Sequence, residues 1–229
     1  MGNGTLQGKT AIVTGAGTGL GRAAALAFAA EGANVVLAGR RKGKVDVVAT
    51  EITAAGGRAL AIQADISSEA DVRRLVASAV EAFGQIDILV NNAAVFEPGA
   101  VAETSLAEWN LQIGINLTGA FLTTREVLPH MRARKYGRII NITSGLASNG
   151  AGGYAAYSAS KAGLESLTRT TAEEESEHGV LANLFNPGTV KSEMHATGQD
   201  PAEVAPALIR LAALPEHGMS GQLIAATGN

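Results

Sequence analysis

Two residues that could transfer a proton stand four positions apart in the second half of the chain, Tyr157 and Lys161. The surrounding pattern predicts a helix, so both side chains lie on one helical face, one turn apart. Because a nearby ammonium favours a phenolate, we expect the pKa of Tyr157 to lie below its ordinary value of about 10. Ser144, across a segment of small residues, can direct a hydroxyl at the same reacting oxygen. This pattern predicts a site that moves a proton onto or off an alcohol or ketone.

Tyr154 is a second tyrosine on the same predicted face, seven residues before Lys161. That separation is about 10.5 Å along a helix axis, whereas Tyr157 is about 6 Å from Lys161 by the same measure. Long lysine and tyrosine side chains can close the gap of about 6 Å from Tyr157 around a cofactor, but they can hardly close the gap of about 10.5 Å from Tyr154. We therefore interpret Tyr154 as a pocket wall or a substrate contact.

A strand, a glycine-rich turn and a helix begin the chain. The apolar strand Lys9–Thr14 runs into the turn Thr14–Gly21, TGAGTGLG, and an Ala-rich helix follows over about Arg22–Glu31. Glycines let the backbone approach a pyrophosphate, and the helix N-terminus offers free amides and a positive dipole end. The spacing differs from the common G-x-G-x-x-G, because Leu20 stands at the third position. A purely structural loop is the alternative, but the strand that follows favours phosphate binding.

The second predicted strand, Asn34–Ala38, ends in Gly39-Arg40-Arg41. An acidic residue at this place binds the 2′-hydroxyl of NAD, whereas an arginine accommodates the 2′-phosphate of NADP. We predict a preference for NADP(H), with Arg40 as the main phosphate contact, while NAD(H) remains possible. The alternative is that both arginines are solvated loop charges.

Apolar strands alternate with helices along the rest of the chain. The strands are apolar at successive positions, which indicates a parallel sheet covered on both faces. Leu106–Arg134 is too long for a typical globular helix, and Gly114 and Gly119 predict a break in it. Asp65, after the third strand, could accept from an adenine amino group or cap the helix beginning near Glu69. The predicted strands are Lys9–Thr14, Asn34–Ala38, Ala59–Gln63, Ile86–Val90, Arg138–Ile142, Val180–Phe185 and Gln222–Ala225.

Composition argues against several classes of protein. A net charge of -3 argues against nucleic-acid binding, which needs a basic face. No apolar run approaches the roughly 18 residues that span a bilayer, and the start lacks the regions of a signal peptide. The absence of cysteine excludes disulfides and thiolate metal sites. We expect a single domain over residues 1–229 of a cytoplasmic protein, with no metal and no nucleic-acid or membrane partner.

In this order, the landmarks resemble the single-domain form of the short-chain dehydrogenase/reductase family over nearly the whole chain. The set is specific although each motif alone is weak. It comprises Thr14–Gly21, Asp65, Asn91-Asn92-Ala93, Asn116, Ser144, Tyr157-x-x-x-Lys161 and Pro187-Gly188. The resemblance implies a Rossmann-like, doubly wound α/β fold of about seven parallel strands. It also implies hydride transfer between a nicotinamide cofactor and a carbonyl or alcohol substrate. The 3-oxoacyl-carrier-protein reductases are the group it looks most like.

The resemblance further implies a role for each site residue. In reduction Tyr157 would donate the proton, Ser144 would bind the substrate oxygen, and Lys161 would hold the nicotinamide ribose and lower the tyrosine pKa. Asn116 would hold a water that links Lys161 to solvent, although a buried asparagine satisfied by backbone is the alternative. The implied cofactor contacts are Gly15, Gly17, Thr18, Gly19, Leu20, Arg40, Asp65, Ile66, Asn92, Ala93, Lys161, Pro187, Gly188, Val190 and Ser192.

The sequence departs from the family pattern in four places, one of which is the lack of a basic residue often seen in the Leu181-Ala182 region. Ala94 replaces the last glycine of the Asn-Asn-Ala-Gly motif, and the chain ends in Ala-Thr-Gly-Asn, which weakens the expected subunit contact. The stretch from Gly188 to Pro201 is short, which predicts an open substrate pocket. An NAD-dependent secondary alcohol dehydrogenase and a non-catalytic cofactor sensor are the alternative functions. By resemblance we expect a homodimer or homotetramer. The substrate is expected to be a neutral, mostly apolar carbonyl compound.

Overall fold

The computed structural model describes residues 4–193 and 195–226, which form a parallel β-sheet between two layers of helices. The sheet has the strand order β3-β2-β1-β4-β5-β6-β7, and every neighbouring pair is parallel. This confirms the doubly wound fold of seven strands. The strands are β1 Thr10–Thr14, β2 Asn34–Gly39, β3 Arg58–Gln63, β4 Ile88–Asn91, β5 Gly137–Ile142, β6 Val180–Asn186 and β7 Leu223–Ala225.

Eight α-helices connect or follow these strands in the described part of the chain. They are α1 Gly19–Ala30, α2 Lys42–Ala54, α3 Glu69–Phe83, α4 Leu106–Ile113, α5 Gly119–Arg134, α6 Leu146–Asn149, α7 Ala155–Glu174 and α8 Pro201–Ala212. A π-helical turn over Gly114–Thr118 joins α4 to α5, which confirms the predicted break. The short helix α6 was not predicted, because four residues of a small-residue segment carry no periodic signal.

Alternate residues of the strands pack into two separate cores. On β2, Val35 and Leu37 pack with α1, α2 and α8, whereas Val36 and Ala38 pack in a second core that includes residues of α3, α5 and α7. Both faces of the sheet are therefore apolar, as the uninterrupted strand patterns predicted. No helix among residues 4–193 and 195–226 is long and apolar enough to cross a membrane.

The order of the strands decides where a ligand can bind. From β1 the chain proceeds outward to β3, and it then returns to place β4 on the other side of β1. Helix α1, after β1, and helix α5, in the segment after β4, pack on opposite faces of the sheet and leave a crevice at its carboxyl edge. In open α/β sheets, ligands bind in the crevice at this switch point.

Candidate active site

A cavity of about 1030 Å³ opens at this carboxyl edge. It is lined by all fifteen predicted cofactor contacts and by Ser144 and Tyr157. Asn116 is the one predicted site residue that does not line it. The described residues include no group of three or more His, Asp or Glu side chains that could hold a metal ion.

The glycine turn after β1 packs directly against the end of β4. Gly15 has a φ of +66°, and a Cβ at this position would lie 2.9 Å from the Cα of Ala93. The Asn92 amide donates to the carbonyl oxygen of Thr14 at 3.0 Å, and the Thr14 hydroxyl accepts from the backbone N–H of Asn92 and of Ala93. Asn92 therefore holds the turn in place. Its predicted contact with the cofactor remains a prediction.

Helix α1 begins at Gly19, earlier than the predicted Arg22, so Gly19 and Leu20 belong to its first turn. The residue that precedes it, Thr18, makes no side-chain capping bond within the part of the chain described here. Uncapped amides at a helix N-terminus, beside glycines that leave room for a close approach, fit a pyrophosphate. These residues are therefore suited to the phosphates of a dinucleotide.

Tyr157 and Ser144 meet at the inner end of the cavity. Tyr157 is 8% exposed, and burial raises the pKa of its phenol, while a hydrogen bond with Ser144 acts in the opposite direction. The expected lowering of the Tyr157 pKa is therefore wrong, because desolvation outweighs the other effects. At neutral pH the phenol keeps its proton.

Lys161 lies one helical turn from Tyr157, as predicted, but its ammonium bonds to the backbone at the end of β5 and not to the Tyr157 hydroxyl. Its Nζ donates to the carbonyl oxygen of Ile142 at 2.7 Å and lies 5.7 Å from the centre of the Tyr157 ring. Burial lowers the pKa of Lys161 from 10.5 to about 8. The group remains mostly charged at neutral pH and ties α7 to the end of β5.

Asn116 lies in the π-helical turn, and its side chain is satisfied by protein groups. Its Oδ1 accepts from the N–H of Val95 at 2.8 Å, and its Nδ2 donates to the Val95 carbonyl at 2.9 Å and to Ser160 Oγ at 3.1 Å. This arrangement is the alternative that the sequence left open, a buried asparagine bonded to backbone. The water-holding role stays a prediction.

Charged residues gather at the end of β2. Arg40 and Arg41 both line the cavity, and Arg41 pairs with Glu193 at 2.5 Å. Asp65 also lines the cavity, where its Oδ1 accepts from the backbone and hydroxyl of Ser67. The capping interpretation of Asp65 is wrong, because Ser68 is the residue that caps α3. Its contact with adenine stays a prediction.

An aromatic wall lies beside Tyr157. The Phe96 ring stacks on Tyr154 with centres 5.1 Å apart, and meets Tyr157 edge-on at 4.8 Å and His195 at 5.2 Å. Tyr154 thus supports the pocket wall from behind Phe96. Phe96 and His195 were not singled out from the sequence. The signal for Phe96 was its place two residues after the Asn-Asn-Ala-Ala segment in a chain with few aromatics.

The sequence model of one family, described as short chain dehydrogenase, matches residues 9–202. The chain belongs to the short-chain dehydrogenase family. As a member of this family the protein is an oxidoreductase that acts on CH–OH groups.

Two curated relatives and one solved structure illustrate the similarity. The chain is 41% identical over 190 residues to the 3-oxoacyl-[acyl-carrier-protein] reductase of Synechocystis sp., covering 82% of this chain and 77% of the relative. It is 41% identical over 189 residues to (2S)-[(R)-hydroxy(phenyl)methyl]succinyl-CoA dehydrogenase subunit BbsD of Thauera aromatica, covering 82% and 76%. A metagenomic short-chain oxidoreductase in complex with NADP superposes with a TM-score of 0.88 at 36% identity, covering 97% and 99%.

Proposed function

We propose that this short-chain dehydrogenase uses NADP(H) to reduce the carbonyl group of a mostly apolar compound to a secondary alcohol. One observation carries the proposal. A buried, protonated tyrosine lines the same cavity as Ser144 and the glycine turn, and it lies beside an aromatic wall. The expected cytoplasmic location and homo-oligomeric state stay predictions.

The cofactor preference is inferred from the end of β2. Arg40 and Arg41 stand where an acidic residue would favour NAD, and both line the cavity. The metagenomic relative that is described as a complex with NADP supports the same choice. A bound nicotinamide would supply the hydride that the carbonyl carbon receives.

The residues of the chain supply the proton and its control. The Ser144 hydroxyl donates to the carbonyl oxygen, and the Tyr157 phenol gives that oxygen its proton as negative charge develops on it. The raised pKa of Tyr157 keeps the phenol in the protonated form that reduction requires. Lys161, charged at neutral pH, would hold the nicotinamide ribose and stabilise the phenolate left after proton transfer.

The substrate class is inferred from the apolar side chains that line the cavity near Tyr157. Phe96 presents a ring beside Tyr157, and Leu146 extends the apolar lining. The two curated relatives are named for acyl substrates carried on a protein or on coenzyme A. We therefore favour ketones with an alkyl or aryl arm over small polar sugars.

The test is reduction of a panel of aliphatic and aryl ketones, with NADPH and NADH in parallel. We expect Tyr157→Phe to lower kcat/KM by roughly 10²- to 10⁴-fold, the usual contribution of a general acid. Tyr154→Phe removes the same hydroxyl from the neighbouring tyrosine and is expected to retain activity of the wild-type order. Equal losses in both variants would contradict the assignment. Binding of NADPH without turnover of any ketone would favour the cofactor sensor instead.

A further inference from the structure

Three charged side chains from distant parts of the chain meet at the outer end of the cavity. Arg41 follows β2, Lys44 lies in the first turn of α2, and Glu193 lies in the segment after β6. Glu193 contacts both cations, Arg41 Nη2 at 2.5 Å and Lys44 Nζ at 3.3 Å. All three side chains line the cavity and are about half exposed.

This charged group lies directly on the glycine turn. A Cβ on Gly17 would lie 2.8 Å from the Cβ of Lys44, and a Cβ on Gly19 would lie 2.9 Å from the Cβ of Ser192. The charged group therefore borders both the glycine turn, which is suited to the phosphates, and the end of β2. The end of β2 is where this fold reads the 2′-position of the adenosine ribose.

We propose that Glu193 controls cofactor choice by competing with the 2′-phosphate of NADP(H) for Arg41 and Lys44. The proposal rests on the proposed function, since it assumes that the cavity holds a nicotinamide dinucleotide. A phosphate and a carboxylate are alternative partners for the same cations. A 2′-hydroxyl, by contrast, can donate a hydrogen bond to a carboxylate, as it does to the acidic residue of NAD-binding sites.

This chain has no acidic residue at the end of β2 to bind a 2′-hydroxyl, and Glu193, from the segment after β6, supplies a carboxylate there instead. The hydrogen bond from Arg41 holds the pKa of Glu193 below its ordinary value, so the carboxylate is ionised at neutral pH. Arg40 makes no ion pair with any residue in the described ranges, and it can receive the phosphate without competition. Glu193 therefore reduces, without abolishing, the preference that the basic residues create.

The substitution Glu193→Gln tests this competition with little risk to the fold, because exposed ion pairs contribute little to stability. Adenosine 2′,5′-bisphosphate and adenosine 5′-monophosphate are suitable probes. They carry the adenosine half alone, so their binding does not depend on the chemistry at Tyr157. Isothermal titration calorimetry would give the Kd of each nucleotide for each variant.

We expect Glu193→Gln to lower the Kd of the bisphosphate by roughly tenfold, because a like charge beside the phosphate is removed. The Kd of the monophosphate should stay the same or rise. Adding Arg41→Gln to Glu193→Gln should remove most of the gain. Asp46→Asn is the matched control, since Asp46 lies on α2, pairs with Lys42 at 2.7 Å and does not line the cavity.

Two results would overturn the proposal. In one, Glu193→Gln leaves the ratio of the two Kd values unchanged. In the other, Asp46→Asn changes this ratio as much, which would indicate only a general effect of charge. If the wild-type protein bound neither nucleotide, the cofactor assignment itself would fail, and this inference with it.

Discussion

Lys161 carries an ammonium group into a part of the protein that excludes water. It is 2% exposed, and the hydrogen bond to the Ile142 carbonyl offsets part of the cost of burial. Its pKa falls from 10.5 to about 8, which means that the charged form is less favourable in the folded protein than in the unfolded chain. The free energy of unfolding therefore depends on the pH through this residue.

Replacing Lys161 with Met should reveal this dependence. Between pH 8 and 10.5 the unfolded chain keeps a proton that the folded protein releases, so the wild-type protein gains stability as the pH rises across this window. Lys161→Met lacks this gain, so the difference in free energy of unfolding between wild type and variant should change by on the order of 3 kcal/mol, in favour of wild type, between pH 7 and 10.5. Urea unfolding at several pH values measures the difference. A difference that stays constant with pH would contradict the lowered pKa.

The π-helical turn is the element that connects the long helical segment to the active site. Asn116, within the turn, satisfies both backbone polar groups of Val95, and Val95 directly precedes the aromatic wall residue Phe96. The turn therefore holds the loop after β4 in place through these two hydrogen bonds to the Val95 backbone. We infer that Asn116 positions the wall of the substrate pocket.

Asn116→Ala should lower the free energy of unfolding by about 1–3 kcal/mol, because it leaves the Val95 groups without their partner. If Asn116 acts through Phe96, KM should rise while kcat is largely retained. If it acts by holding a water for proton transfer, kcat should fall instead. Asn110→Ala is the control, since Asn110 is exposed on the neighbouring helix α4. Steady-state kinetics together with urea unfolding separates these outcomes.

At the scale of the whole molecule, a buried polar network joins the sheet to one helical layer. Asn91 at the end of β4 donates to Asn141 of β5 at 2.8 Å and accepts from Thr123 of α5 at 2.7 Å. Asn141 donates in turn to Thr168 of α7 at 2.8 Å. All four residues are buried. The network therefore joins two neighbouring strands to two helices in the interior of the fold.

Asn141→Leu should cost about 1–3 kcal/mol of unfolding free energy, because the buried Asn91 amide loses its shortest hydrogen bond and keeps only the longer ones to Thr124 and the Ala120 carbonyl. The double variant Asn91→Leu/Asn141→Leu should lose less unfolding free energy in total than the sum of the losses of the two single variants, since the two groups act as a unit. A double-mutant cycle by urea unfolding measures the coupling. Strict additivity would mean that the two amides stabilise the fold independently.

The sequence by itself determined the fold and the location of the candidate site. Continuous apolar strands, the glycine turn and the spacing of Tyr157 and Lys161 are local patterns, and each depends on residues close together in the chain. The edges of the strands were predicted within about two residues for the same reason. The fifteen predicted cofactor contacts all line the cavity because strand ends in a doubly wound sheet converge on one edge.

The tertiary structure alone decided what surrounds each of these groups. The pKa of Tyr157 is raised rather than lowered because burial depends on every element packed around the phenol. Asn116 bonds to Val95, 21 positions away, and Glu193 meets Arg41 across 152 positions. Local patterns carry no information on contacts between residues so far apart. Desolvation and long-range pairing therefore become visible only once the chain is folded.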